Sequence, residues 1–252
     1  MNTTTTSTTI TGIDLVGATV ADVKASIAFY RDKLGLAPSN EAEWGAEFEL
    51  SDKLTLGIWQ PGGMPPSYSL MFAVGDARAA AEEFRKRGAS IDEPMESPVC
   101  VMAIGRDPDG NTFILHQRTV KNDPTPPPHV RTASSVNGID LAAYMVSDPQ
   151  RSIAFYRDVL GVTPTDIDEL GRGAEFTLAD GSTFGVWRPE GGAEGDATSG
   201  GATMFAVDDI QAAVRALRER GVGISDVREE RICYMAFTQD PDGNGVIMHQ
   251  RK

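Results

Sequence analysis

The stretch Cys100-Val-Met-Ala-Ile-Gly-Arg-Asp-Pro-Asp-Gly-Asn-Thr-Phe-Ile-Leu-His116 returns near the C-terminus as Cys233-Tyr-Met-Ala-Phe-Thr-Gln-Asp-Pro-Asp-Gly-Asn-Gly-Val-Ile-Met-His249. In each copy Asp-Pro-Asp-Gly-Asn lies between two apolar runs. Proline presets φ, Asp and Asn bond their own backbone, and glycine accepts positive φ, so each copy reads as a β-hairpin. Side chains alternate faces along a strand. Cys100, Met102 and Ile104 therefore share one face, as do Ile114 and His116. If Arg106 pairs with Thr112, these faces coincide, bringing a cysteine close to a histidine in both copies.

Outward from the hairpins, the rest of the chain repeats as well. Gly12-Ile-Asp-Leu15 matches Gly138-Ile-Asp-Leu141, and Ser26-Ile-Ala-Phe-Tyr-Arg-Asp32 matches Ser152-Ile-Ala-Phe-Tyr-Arg-Asp158. Insertions fall in the loops around Thr163 to Gly173 and Pro189 to Gly201. Within the first half, a β-prone run from Ile13 to Val20 leads to Asp22, a helix N-cap, then a helix stopped by Gly35. Strands follow at Ala46 to Leu50 and Leu54 to Trp59. A second strand from Tyr68 to Val74 precedes an Asp76-capped helix over Ala77 to Arg87, stopped by Gly88, and then the hairpin. Each half is thus a βαβββ module occurring twice, an α+β pattern.

The predicted organisation is a disordered Thr-rich tail over 1–9, a first domain over 10–118, a Pro-rich linker over 119–135 that holds His129, and a second domain over 136–252. At 252 residues, 40% hydrophobic and 23% charged, the chain has the composition of two soluble domains. Its formal net charge of −13 argues against nucleic acid or an anionic membrane as partner and suits a cationic ligand. No apolar run is long enough for a membrane span. The two cysteines occupy equivalent places in the two halves, so reduced thiols in the cytoplasm are expected.

With strand, Asp-capped helix ending in Phe-Tyr-Arg-Asp and Leu-Gly, strands, and the closing Asp-Pro-Asp-Gly-Asn hairpin, each half resembles the vicinal oxygen chelate superfamily. That family includes glyoxalase I, extradiol dioxygenases, fosfomycin resistance enzymes and bleomycin resistance proteins. The resemblance implies four βαβββ modules forming two glyoxalase-like domains with curled mixed sheets around a small ligand. It leaves open whether modules pair within a half or between halves, and whether the chain is a monomeric pseudo-dimer or a homodimer. Metal-using members place His, Gln or Glu on the first strand of each module and Glu after the hairpin turn. Here those places hold Leu15, Leu141, Ser69, Ala202, Ile114 and Ile247. No metal ligand is therefore assigned and no cofactor is expected, although a divalent ion bound by another set is not eliminated.

Two kinds of residue remain to carry function. His116 and His249, with Cys100 and Cys233, form candidate catalytic pairs: a thiolate activated by imidazole, a soft-metal site completed by Glu47 or Glu175, or histidine acid–base chemistry. Their structural alternative is a small buried cysteine and a hydrogen-bonded histidine. Phe48, Trp59, Met102, Phe176 and Trp187 are candidate pocket walls, with Tyr144 and Tyr234, which stand where the first half has Ala18 and Val101. Core packing is their alternative role. The two functions in contention are a metal-independent binder of an aromatic or cationic small molecule, and a glyoxalase-, dioxygenase- or lyase-type enzyme using an atypical metal site or His116 and His249.

Overall fold

The computed structural model describes residues 8–50, 54–60, 66–119, 136–189 and 200–252. The expected tail up to residue 7, the linker from residue 120 with His129, and most of the insertion after Pro189 lie outside the described residues. In the first half, β1 (Ile10–Thr19) leads to α1 (Val23–Ala28), then β2 (Asn40–Ala42), β3 (Gly45–Glu49) and β4 (Thr55–Trp59). The second module runs β5 (Ser67–Val74), α2 (Ala77–Lys86), β6 (Ser90–Ile91), β7 (Met95–Glu96), β8 (Cys100–Arg106) and β9 (Thr112–Arg118). The second half repeats this with β10 (Val136–Met145), α3 (Pro149–Ala154), β11 (Asp166–Ile167), β12 (Gly173–Thr177) and β13 (Thr183–Trp187). It ends with β14 (Gly201–Val207), α4 (Ile210–Glu219), β15 (Arg228–Glu229), β16 (Cys233–Gln239) and β17 (Gly245–Arg251).

Local chemistry accounts for these boundaries. Asp22, Asp76, Asp148 and Asp209 each cap a helix, their carboxylates accepting first-turn amide hydrogens. Past Ala28 and Ala154 the helices widen into π-type turns, in which Leu34 and Leu160 donate to carbonyls five residues back, on Phe29 and Phe155. Gly35, Gly88, Gly161 and Gly221 follow the helices with positive φ.

Each half forms one curled mixed sheet, of order β2-β3-β4-β1-β5-β9-β8-β6 in the first and β11-β12-β13-β10-β14-β17-β16-β15 in the second. Arg106 does pair with Thr112, and the register carries Met102 opposite His116 and Cys100 opposite Arg118. The second hairpin repeats it, with Met235 opposite His249 and Cys233 opposite Arg251.

Packing groups the chain differently from the sheets. Among the described residues, one compact unit comprises 8–15, 69–119 and 144–189, and the other comprises 16–50, 54–60, 66–68, 136–143 and 200–252. Each draws on both halves. In the first, Tyr156 packs on Phe72 at 6.5 Å and on Phe176 at 5.7 Å between ring centroids. In the second, Tyr30 packs on Phe48 at 6.0 Å and on Phe205 at 6.5 Å. The pairing question is answered by the aromatic cores, which in each unit join modules from different halves.

The two most repeated motifs turn out to be partners. In the second unit the turn carboxylate of Asp242 accepts from the Ala21 amide and the Ser26 hydroxyl, each at 2.7 Å, and Asp240 accepts from Tyr30 at 3.0 Å. In the first unit Asp109 accepts from the amide and hydroxyl of Ser147 and from Ser152, while Asp107 accepts from Tyr156. The Asp-Pro-Asp-Gly-Asn turn therefore grips the start of a helix from the other half as well as reversing the chain.

Three expected pocket walls are core instead. Phe48, Phe176 and Tyr144 are fully buried. The two phenylalanines fill the aromatic clusters, and the Tyr144 hydroxyl donates to the Thr112 carbonyl and accepts from the Leu70 amide. A buried phenol needs both bonds to offset its lost hydration, which ties it to structure. Tyr68 performs the same task in the other unit, bonding the Ala202 carbonyl and Thr203 hydroxyl, with its ring where Gly201 leaves room.

Candidate functional site

His116 and His249 occupy equivalent places near the ends of β9 and β17. In the first half β5 lies between β9 and β1, and Ala73 stands level with His116. Because that residue is only a methyl group, Asp14 on β1 reaches across the intervening strand. Its Oδ2 lies 2.6 Å from His116 Nδ1. The second half reproduces the arrangement with Ala206 level with His249, and Asp140 Oδ2 lies 2.6 Å from His249 Nδ1. An arginine flanks each carboxylate: Arg118 Nε lies 3.3 Å from Asp14 and Arg251 Nε lies 3.5 Å from Asp140.

Burial pushes the Asp14 carboxyl up, but the hydrogen bond from His116 and the charge of Arg118 outweigh it and hold the group below the ordinary carboxylate value. Asp140 behaves alike: burial opposes ionisation, and His249 with Arg251 prevails. An ionised carboxylate can only accept, so Nδ1 carries the proton. Among the described residues neither Nε2 has a hydrogen-bond partner, and neither is sealed from solvent. The second copy opens on a shallow pocket of about 260 Å³ lined by Asn137, Asp140, Ala206, Asp208, His249 and Arg251.

The other candidate residues are distributed differently. Register sets each cysteine diagonally from its histidine, and the hydrogen bonds run elsewhere: the buried Cys100 thiol is 3.0 Å from Ser97 Oγ. Met102 is half-buried opposite His116. Trp59 and Trp187 are half-buried, their indoles laid over Gly57 and Gly185, where a side chain would collide with the ring. Tyr234 is half-buried beneath the Lys252 ammonium, 4.9 Å from its ring centroid. Asp14, Asp140, Arg118 and Arg251 escaped the sequence reading. The available signal was the retention of Gly-Ile-Asp-Leu in both halves, with aspartate between apolar neighbours on a strand.

Such a protein, with paired βαβββ modules in curled mixed sheets and a small polar site at the strand ends, is of the vicinal oxygen chelate class. It belongs to the Glyoxalase/Bleomycin resistance protein/Dioxygenase superfamily, whose family model matches residues 12–115 and 138–248. Among relatives, the "Anthracycline biosynthesis protein DauV" of Streptomyces sp. (strain C5) is 26% identical over 239 residues, 81% of this chain and 80% of that protein. Homoprotocatechuate 2,3-dioxygenase from Arthrobacter globiformis superposes with a TM-score of 0.69 at 18% identity, covering 98% of this chain and 82% of the other. The Mn(II)-bound glyoxalase from Novosphingobium aromaticivorans gives 0.65 at 18% identity, covering 97% and 83%. At such identity these two structures speak for the fold.

At the positions where the family resemblance places the chelate, the side chains do not supply its ligands. Leu15, Leu141, Ala202 and Ile247 are buried hydrocarbon, and Ile114 is half-buried hydrocarbon, so none offers a lone pair. Ser69, the remaining position, is buried and supplies at most a neutral hydroxyl. Among the described residues, no three His, Cys, Asp or Glu side chains stand together as a metal site.

Proposed function

We propose that this chain is a small-molecule-binding member of the superfamily that acts without the family's metal chelate. The observation that carries this reading is the hydrocarbon at five of the six first-strand and closing positions, with only the Ser69 hydroxyl at the sixth. An aromatic ligand is supported by kinship to a protein named for anthracycline biosynthesis and by the half-buried Trp59 and Trp187. The charge of −13 favours a neutral or cationic ligand and disfavours nucleic acid. Free cysteines at 100 and 233 suit the cytoplasm, and no helix among the described residues is long and apolar enough to cross a membrane.

Two measurements test this together. Elemental analysis after incubation with zinc, manganese and iron(II) should find no stoichiometric metal, and aromatic ligands should quench tryptophan fluorescence saturably and without response to chelators. About one tightly held ion per half would overturn it.

A second reading, metal-free acid–base catalysis, is favoured by one observation, the oriented His–Asp pairs. A base held by a third group and open at its other nitrogen is the arrangement that proton transfer requires. Turnover lost in a His116→Ala/His249→Ala variant would establish it.

A further inference from the structure

We infer that the pocket around His249 and Asp140 is a proton-accepting site for a neutral ligand bearing an acidic hydroxyl, a phenol or an enol. This rests on the small-molecule reading above and names the chemistry that one site recognises. The geometry supplies the acceptor. Asp140 takes the Nδ1 proton at 2.6 Å, which leaves the lone pair on Nε2 with no partner among the described residues, on a side chain that lines the pocket.

Charge selects the ligand. The groups facing the pocket are Asp140 from β10, Asp208 after β14, and His249 and Arg251 from β17. Two carboxyl side chains, Asp140 and Asp208, face one guanidinium, Arg251, so the acidic groups outnumber the basic one by one. A ligand that arrives as an anion is repelled, whereas a neutral hydroxyl enters and gives up its proton in place. The pocket is shallow and, at about 260 Å³, below the range of drug-sized pockets, so a ligand held here leaves much of its surface in solvent.

The step balances within the site. The ligand O–H bond breaks with its electron pair left on oxygen, and the proton forms Nε2–H. The resulting imidazolium lies between the Asp140 carboxylate and the new oxyanion, with the Arg251 guanidinium alongside. His249 touches the ligand; Asp140 is a positioning residue that sets the tautomer and supports the positive ring. In the first half Asp14, His116 and Arg118 repeat the arrangement, but Gly75 stands where Asp208 does, leaving that copy formally neutral.

The test uses 4-nitrophenol, whose phenolate absorbs visible light, with the full chain carrying His116→Gln so that the second site reports alone. At a pH where the free probe is mostly protonated, bound probe should show the phenolate band. His249→Gln should reduce that band at least about fivefold. Asp140→Asn should keep the probe bound while moving its ionisation midpoint up by roughly one pH unit. 4-Nitroanisole, of similar shape without the proton, should bind more weakly to the unsubstituted chain, a comparison that needs no variant to fold. Probe that quenches tryptophan but stays protonated overturns the inference and leaves the binding reading intact. An unchanged band in His249→Gln, or no binding of either probe, also overturns it.

Discussion

Asp242 accepts the Ser26 hydroxyl at 2.7 Å, although 216 residues separate them in sequence. The same carboxylate takes the Ala21 amide at 2.7 Å. The hairpin turn of one half is thereby bonded to the start of a helix in the other, within one compact unit.

Replacing Asp242 by alanine removes both bonds. Hydrogen bonds to a charged acceptor contribute about 1.5–3 kcal/mol each, so a loss of about 2–4 kcal/mol is expected after partial rehydration. The urea midpoint should fall accordingly. Asp109→Ala should behave alike through Ser147 and Ser152.

Tyr144→Phe leaves the Leu70 amide and Thr112 carbonyl without the hydroxyl that joins them in the interior. The cost should be about 1–3 kcal/mol. Any ligand affinity should be unchanged, because the ring is fully buried. Denaturation and fluorescence titration of the same variant separate the two effects.

Gly57 lies beneath Trp59: a Cβ there would sit 2.2 Å from Cη2 of the indole. Gly57→Ala should therefore expel the ring. The expected signs are a red-shifted tryptophan emission and weaker quenching by aromatic ligands. Gly185→Ala should do the same to Trp187, where the added atom would lie 2.5 Å from Nε1.

Acid should destabilise the fold through Asp14, Asp109 and Asp140. Burial opposes their ionisation, but hydrogen bonds from His116, Ser147 and His249, with nearby arginines, hold them below the ordinary 3.8. Their stabilisation is complete above 3.8 and is lost as pH falls through the depressed folded values. Asp107 runs the other way: burial raises its carboxyl, so its contribution improves as pH falls toward 3.8. With Asp14, Asp109 and Asp140 lowered, and Asp168 held at about 2 chiefly by its hydrogen bond from Arg172, against the raised Asp107, the urea midpoint should drop below pH 4. An Asp14→Asn/Asp140→Asn variant should be less stable at pH 7 and show a shallower drop.

Much of this was legible in the sequence, because it depends on neighbours along the chain. Four aspartates cap four helices, and glycines stop them. The Arg106–Thr112 register follows from the length of the turn, since a hairpin leaves no freedom once its reversal is set. The duplication, and the hydrocarbon at every chelate position except Ser69, could be read directly. What tertiary structure alone decided is which distant side chains meet. Phe48 and Phe176 sit on alternating strands whether they face a pocket or a core, and only packing against Tyr30 and Tyr156 distinguishes the two. Asp14 meets His116 across a strand that neither belongs to, through the gap that Ala73 leaves. Strand periodicity tells which face a side chain takes; it carries no information about which strand will lie beside it, and that choice made the site.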